Sequence, residues 1–161
     1  METRMILTAL ALAAATPVAT PEAAVAAIYA PFRKPDTTEA AWERPIFTPR
    51  LKALIARWRA VTPTDEVDDL SDFDWLCQCQ DWEAGGLHER ITARRALGPG
   101  RLLLSVTLGK APGHRERLRF AFARIGGQWL VDDIFASGFR GGLRASLIRT
   151  TAADTALRRR R

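Results

Sequence analysis

The chain has 161 residues, of which 47% are hydrophobic and 26% are charged, a composition typical of a single globular domain and not of a disordered or multidomain protein. Basic residues outnumber acidic ones by 24 to 18, and the last four residues, Arg158 to Arg161, supply four of the positive charges. The other basic residues follow no nucleic-acid-binding motif and do not interleave with aromatic residues, so we predict no nucleic-acid binding. We expect only this arginine tail to contact anionic surfaces.

The first 19 residues have the pattern of an export signal. A positive end at Arg4 precedes an apolar stretch over 5–15, and small residues then offer cleavage after Ala15 or Ala19. We therefore expect a mature chain that is periplasmic or secreted. Beyond the signal the sequence has no apolar run of about 18 residues, so no membrane-spanning segment is predicted there.

Two helices are predicted in the first half of the mature chain. Each begins at a threonine followed by proline, a typical helix start, at Thr20 and at Thr48. Apolar residues then recur at helical spacing until Pro31 and Pro63 interrupt the two stretches. An acidic loop over 64–74 follows the second helix.

The second half of the chain changes to the period of two that is typical of strands. Apolar and polar residues alternate over 102–108 and over 117–123, and a weaker strand spans 87–97. A two-glycine turn connects the second of these stretches to a strand over 128–135, which predicts a hairpin. Within that hairpin, Trp129 is predicted to be the central anchor of the sheet.

This order of elements predicts an α+β fold. N-terminal helices pack on a curved antiparallel sheet of three to four strands, and a short C-terminal helix around Leu143 and Leu147 completes a cone-like shape. The predicted organisation is a signal peptide over 1–19, a single domain over 20–149 and a flexible arginine-rich tail over 150–161.

Four short motifs follow one another between residues 72 and 147. They are Asp72-Phe73-Asp74, Gln80-Asp81, Trp129-Leu130-Val131-Asp132-Asp133-Ile134 and Leu143-Arg144-Ala145-Ser146-Leu147. In this order, and over residues 23–149, the chain resembles the bacterial envelope family named domain of unknown function 3828. The resemblance implies a fold similar to the nuclear-transport-factor-two-like, or cystatin-like, cone, in which helices wrap a curved antiparallel sheet. It implies no particular activity.

Asp132 and Asp133 are candidate acid and base groups. Adjacent residues of a strand point to opposite faces, so we do not expect them to form one carboxylate pair. One functional hypothesis is a small pocket enzyme of the hydrolase, dehydratase or isomerase type, in which either residue works with Asp81. The structural alternative, which we favour, is a carboxylate that caps a helix or loop or pairs with an arginine.

A second set of polar residues offers a ligand site. Gln80, Asp81 and Trp82 follow the acidic loop, and they can share the rim of a pocket with Tyr29 and Asp133. In the favoured alternative, the Asp81 side chain bonds the backbone of the glycine turn that follows, and Tyr29 belongs to the core.

Cys77 and Cys79 are the only cysteines. In an extended chain, residues two apart lie near the upper Cα separation that a disulfide tolerates, and zinc would need two further ligands. We therefore expect two buried thiols, no metal and no cofactor. The first functional hypothesis is a non-enzymatic exported envelope protein that binds a small ligand or a protein partner, and the pocket enzyme is the alternative.

Overall fold

The computed structural model describes residues 20–34, 39–62, 67–83, 85–110 and 113–160. The predicted export signal lies outside these residues. The described part contains three α-helices, which are α1 (Pro21–Tyr29), α2 (Pro49–Val61) and α3 (Leu143–Arg158). Its four strands are β1 (His88–Gly98), β2 (Arg101–Gly109), β3 (Arg115–Ile125) and β4 (Gln128–Phe135). Single turns of 3₁₀ helix occur at Pro31–Arg33 and Ala41–Glu43. The predicted α+β class is confirmed.

The first two helices begin where the threonine–proline pairs predict. The Thr20 hydroxyl oxygen accepts a hydrogen bond from the N–H of Ala23 at 3.1 Å, and that of Thr48 accepts one from Leu51 at 3.2 Å. Each bond satisfies a backbone donor that the first helical turn leaves without a partner, and the proline that follows has no N–H to satisfy.

The strands form one antiparallel sheet in the order β1-β2-β3-β4, so each strand pairs with the next along the chain. The alternation predicted for β2 and β3 places Leu104 opposite Phe120 on the same face. A short segment before α2 pairs with the free edge of β4: the N–H of Thr48 donates to the carbonyl of Val131, and the N–H of Val131 donates to the carbonyl of Ile46, both at 2.9 Å. The edge of β4 is therefore partly covered, which protects its backbone groups from pairing with another chain.

One face of the sheet packs against the helices and contains the core. The largest fully buried side chains include Trp58, Trp75, Tyr29, Phe32, Phe47, Phe120, Phe122 and Phe139. Trp129, predicted to be the central anchor, is only partly buried and lies opposite Arg124 beside the β3–β4 turn. That prediction is wrong. The burial of a strand residue depends on its position along the sheet as well as on the face to which its side chain points.

Three other tryptophans form an aromatic cluster in the fold. The rings of Trp42, Trp58 and Trp75 lie with their centroids between 5.4 and 5.6 Å apart. They come from the 3₁₀ turn at Ala41–Glu43, from α2 and from the turn directly after the acidic loop, so the cluster connects three segments that are distant in sequence.

The C-terminal helix is longer than predicted. It continues to Arg158, so most of the segment predicted to be a flexible tail from residue 150 is helical. Leu143 and Leu147 anchor its first turns in the core, and the Thr62 hydroxyl beyond α2 lies 3.2 Å from the Asp154 carboxylate. The helix therefore depends on packing against α2, which local apolar spacing does not reveal. Among the described residues, no helix has the length and apolarity needed to cross a membrane.

Candidate functional site

The acidic loop before β1 is organised by Asp74. Its Oδ1 atom accepts hydrogen bonds from the N–H groups of Leu76 at 2.8 Å and Cys77 at 3.0 Å. Its own N–H donates to the carbonyl of Cys79 at 2.8 Å. Burial raises the pKa of Asp74, and the two backbone hydrogen bonds act in the opposite direction. This carboxylate therefore holds a tight turn together.

Cys77 and Cys79 form a disulfide, so the prediction of two free thiols is wrong. That prediction assumed an extended chain, whereas Gln78 has a φ of +53°. The bend brings the two Cα atoms to 5.2 Å, within the usual disulfide range of about 4.4–6.8 Å. The Gln78 side chain fixes the bend, because Nε2 donates to the carbonyl of Trp75 and Oε1 accepts from the N–H of Gly138, both at 2.9 Å. The described residues contain no cluster of three or more metal-binding side chains.

The predicted ligand residues of the following loop face two different clefts. Asp81 and Trp82 line a cleft of about 760 Å³ with His88 and Lys110, beside the ends of β1 and β2. Gln80 and Trp82 line a smaller cleft of about 220 Å³ next to the acidic loop. Trp82 stands between the two clefts, and its ring packs edge-on against that of Phe32.

The structural role predicted for Asp81 is not found. The amide of Gly86 donates to the carbonyl of Glu83 at 2.8 Å, and the amide of Gly85 donates to that of Phe32 at 3.3 Å. Backbone carbonyls therefore occupy the donors that Asp81 was expected to satisfy, and the Asp81 side chain is exposed.

Tyr29 is a core residue and does not belong to the rim of either cleft. It is fully buried, and its hydroxyl donates to the carbonyl of Leu76 at 2.9 Å. Burial raises the pKa of the Tyr29 hydroxyl far above its usual range, and the nearby carboxylates of Asp74 and Glu89 act in the same direction. Tyr29 therefore stays neutral and joins α1 to the turn that follows the acidic loop.

The two adjacent aspartates of β4 do not follow regular strand alternation. Asp133 lies opposite Ala121 and Val131 lies opposite Phe122, which leaves Asp132 as the extra residue of a β-bulge. A bulge breaks the period of two, so the prediction that the two side chains diverge to opposite faces is wrong. Both carboxylates instead contact Arg144, the second residue of α3.

Asp132 and Asp133 contact Arg144 in different ways. Asp132 Oδ2 lies 3.2 Å from Nη1 of Arg144 and 3.3 Å from Nη2 of Arg101, and its Oδ1 accepts from the Thr48 hydroxyl at 3.0 Å. Asp133 Oδ1 accepts from the N–H of Arg144 at 3.1 Å and caps α3. Burial raises the pKa of Asp133, partly offset by this bond. The geometry is that of an ion pair and a helix cap.

The structure does not bring the proposed acid and base residues together. Asp81 lies beside β1, whereas Asp132 and Asp133 lie on β4 at the other edge of the sheet. Asp133 and Tyr29 are likewise separate from the clefts that Gln80, Asp81 and Trp82 line.

A trough on the outer face of the sheet is lined by arginines that strand patterns alone did not single out. In the sheet register, Arg90 of β1 lies opposite Thr107 of β2, which lies opposite Arg117 of β3. Short side chains of β2 therefore form the floor, with Arg90 of β1 on one side and three arginines of β3 on the other. This arginine trough has a volume of about 690 Å³. It is lined by Arg90, Thr92, Ala93, Ser105, Val106, Thr107, Arg115, Arg117, Leu118 and Arg119.

The charge of the arginine trough is largely uncompensated. Its four arginines are exposed, and none forms an ion pair with a carboxylate of the described residues. The guanidinium of Arg119 lies 5.0 Å from the ring of Phe135. No acidic residue lines the trough, so a concave surface concentrates positive potential. The sequence alone shows that arginines alternate with Leu118 and Phe120 in β3. The position of Arg90 across the trough from them follows only from the pairing of the strands.

No protein-family model and no curated protein sequence matches the chain. Its fold is similar to that of a chain of the type VI effector–immunity complex Tae3–Tai3 from Ralstonia pickettii, with a TM-score of 0.51 and 20% identity over 74% of this chain and 96% of that chain. A phospholipid-binding protein from Ralstonia solanacearum gives a TM-score of 0.37 and 14% identity over 82% of this chain and 92% of that chain. At 20% identity, the first similarity shows a shared fold and nothing about function. The resemblance to domain of unknown function 3828 stays a prediction.

Proposed function

We propose that this chain is an exported, non-enzymatic binding protein that holds an acidic protein partner in the arginine trough. The observation that carries the proposal is the arrangement of arginines, Arg90 on one side and Arg115, Arg117 and Arg119 on the other, with no acidic residue between them. An extended acidic segment lying along β2 would meet guanidinium groups on both sides.

The chemistry of the arginine trough favours carboxylates. The planar guanidinium group pairs with a carboxylate through two parallel hydrogen bonds, and arginine is enriched at protein interfaces. Sites for single-stranded nucleic acid place aromatic side chains under the bases, whereas no aromatic residue lines this trough. The strands also fix the spacing of the arginine backbones, which lowers the entropic cost of ordering the site on binding.

Two observations support the non-enzymatic part of the proposal. Asp132 is engaged by arginine side chains, and Asp133 caps α3. Asp81, the third member of the alternative enzyme, lies near the opposite edge of the sheet. The acid and base that a pocket enzyme needs are therefore not within reach of one substrate atom.

Export is supported by the sequence pattern over residues 1–19 and by the Cys77–Cys79 disulfide, because disulfides persist in oxidising compartments such as the periplasm. The Tae3–Tai3 complex offers one example of this fold in an assembly of two proteins. The proposal of a protein partner for this chain rests on its own arginine trough.

The test is affinity capture from envelope extract with three baits. One is the wild type, one combines Arg90→Ser with Arg117→Ser, and the control combines Arg50→Ser with Arg124→Ser, which removes the same charge from exposed positions outside the trough and outside the arginine tail. We expect an acidic protein, identified by mass spectrometry, that the wild type and the control retain and the trough variant loses.

Two further probes distinguish other anionic partners. A duplex DNA oligonucleotide and vesicles of phosphatidylglycerol are offered to the same three proteins. Tight binding of either probe that depends on the trough, without a captured acidic protein, would overturn the proposal. Equal capture by all three baits would also overturn it.

A further inference from the structure

A groove between α2 and α3 combines an apolar floor with positive charge. This helix groove, of about 570 Å³, is lined by Leu54 and Arg57 of α2, by Ile148, Thr151, Ala152, Thr155 and Ala156 of α3, and by Arg159 and Arg160 directly after it. None of its lining residues is acidic. Its volume lies in the range of about 300–1,000 Å³ that is typical of small-molecule sites.

The two helices run in the same direction. Asp132 contacts Thr48 at the start of α2 and Arg144 at the start of α3, and Thr62 after α2 contacts Asp154 near the end of α3. Arg57, five residues before Thr62, therefore lies partway along the helix groove, whereas Arg159 and Arg160 lie beyond Asp154 at its far end.

The order of residues along each helix places apolar groups before arginines. Leu54 precedes Arg57 on α2, and Ile148 precedes Arg159 at the end of α3. The groove therefore begins at Leu54 and Ile148, passes Arg57 and ends at Arg159 and Arg160. Ile148 is 56% exposed, so a large apolar side chain at the apolar end lies open to a ligand.

We propose that the helix groove binds a single-chain anionic amphiphile, such as a fatty acid. The alkyl chain lies over Leu54, Ile148 and Ala152, and the carboxylate meets Arg159 and Arg160. Ile148 and Arg159 are eleven positions apart, a rise of about 16 Å along the helix, which matches an extended chain of about twelve carbons. Burial of the chain supplies affinity, and the arginines select for an anionic head group.

This site is separate from the arginine trough, and neither proposal rests on the other. The probe for the helix groove is dodecanoate, with binding measured by isothermal titration calorimetry and located by amide chemical shifts. Dodecyltrimethylammonium has the same alkyl chain with a cationic head and serves as the head-group control. Vesicles of phosphatidylglycerol distinguish a free amphiphile from a membrane surface.

Two variants test the apolar end. Ile148→Asp places a charge in the groove, and Leu157→Asp makes the same change at an equally exposed position of α3 that does not line it. Because both residues are exposed, both variants should fold, which a thermal melt verifies. We expect Ile148→Asp to weaken dodecanoate binding about tenfold or more, and Leu157→Asp to change it less than about twofold.

Two further variants test the cationic end. We expect Arg159→Gln with Arg160→Gln to weaken binding about threefold to tenfold, and Arg50→Gln with Arg158→Gln to leave it unchanged. Binding of dodecyltrimethylammonium as tight as that of dodecanoate would overturn the proposal. Dodecanoate binding insensitive to Ile148→Asp, or binding to vesicles without binding of dodecanoate, would overturn it as well.

Discussion

Replacing Trp58 with phenylalanine perturbs the aromatic cluster that joins α2 to the acidic loop. Trp58 is fully buried, with its ring centroid 5.4 Å from that of Trp42 and 5.5 Å from that of Trp75. Its indole N–H donates to Oδ2 of Asp68 at 2.6 Å. Phenylalanine retains an aromatic ring but removes this donor and part of the packed surface.

The expected loss of stability combines two contributions. A hydrogen bond to a charged group contributes about 1.5–3 kcal/mol, and the smaller ring leaves unfilled space that costs about 1 kcal/mol. The free energy of unfolding of Trp58→Phe should therefore fall by about 2.5–4 kcal/mol. Because a domain of this kind has about 5–15 kcal/mol in total, the variant should remain folded and measurable.

The effect of Trp58→Phe should depend on pH. Burial tends to raise the pKa of Asp68, but hydrogen bonds from Trp58, Ser71 and Leu70 outweigh it and lower the pKa overall. A carboxyl group with a lowered folded pKa stabilises the protein above its unfolded pKa, about 3.9 for aspartate, and this contribution is lost as pH falls through the folded pKa. Since Trp58→Phe removes one of these bonds, the stability difference between wild type and variant should narrow below about pH 4.

Urea denaturation followed by circular dichroism, at pH 7 and at pH 3, measures both effects. Trp129→Phe is the matched control, because Trp129 is only partly buried beside the β3–β4 turn. We expect this control to lose less than about 1 kcal/mol. If Trp129→Phe lost as much stability as Trp58→Phe, the cluster around Trp58 would not be the aromatic anchor of the fold.

Three further outcomes are expected. Asp133→Ala should cost about 1–2 kcal/mol in calorimetric melts because α3 loses its cap, and Asp133→Asn, which retains an acceptor, should cost less; equal losses would argue against a capping role. Tyr29→Phe leaves the carbonyl of Leu76 without its partner and should cost about 0.5–1.5 kcal/mol in chemical denaturation, whereas no loss would mean that the hydrogen bond is not formed. Denatured protein should react with a thiol reagent only after reduction, and reaction beforehand would refute the Cys77–Cys79 disulfide.

The elements that local chemistry determines could be predicted from the sequence. The threonine–proline pairs predict the starts of α1 and α2 because capping involves residues only three positions apart. Apolar residues alternate with serine and threonine in β2 and with arginine in the first part of β3, and this pattern predicts both strands because one face of each is buried.

Features that depend on distant partners could not be predicted in this way. The disulfide requires the left-handed backbone of Gln78, which the Gly138 amide and the Trp75 carbonyl hold through the glutamine side chain. The bulge at Asp132 and the length of α3 depend on how β4 and α2 pack. The arginine trough likewise exists only because strand register places Arg90 across the floor from Arg117.

Charge reversal within the arginine trough offers the sharpest measurement of partner binding. The dissociation constant of the complex with the captured acidic protein is measured by calorimetry for the wild type, Arg117→Glu and Arg158→Glu, at low and high salt. We expect Arg117→Glu to weaken binding at least about tenfold, because a like charge then faces the partner, and Arg158→Glu to retain wild-type affinity. The difference should narrow at high salt, which screens exposed charges. Equal dissociation constants for the two variants would mean that the acidic partner does not bind in the arginine trough.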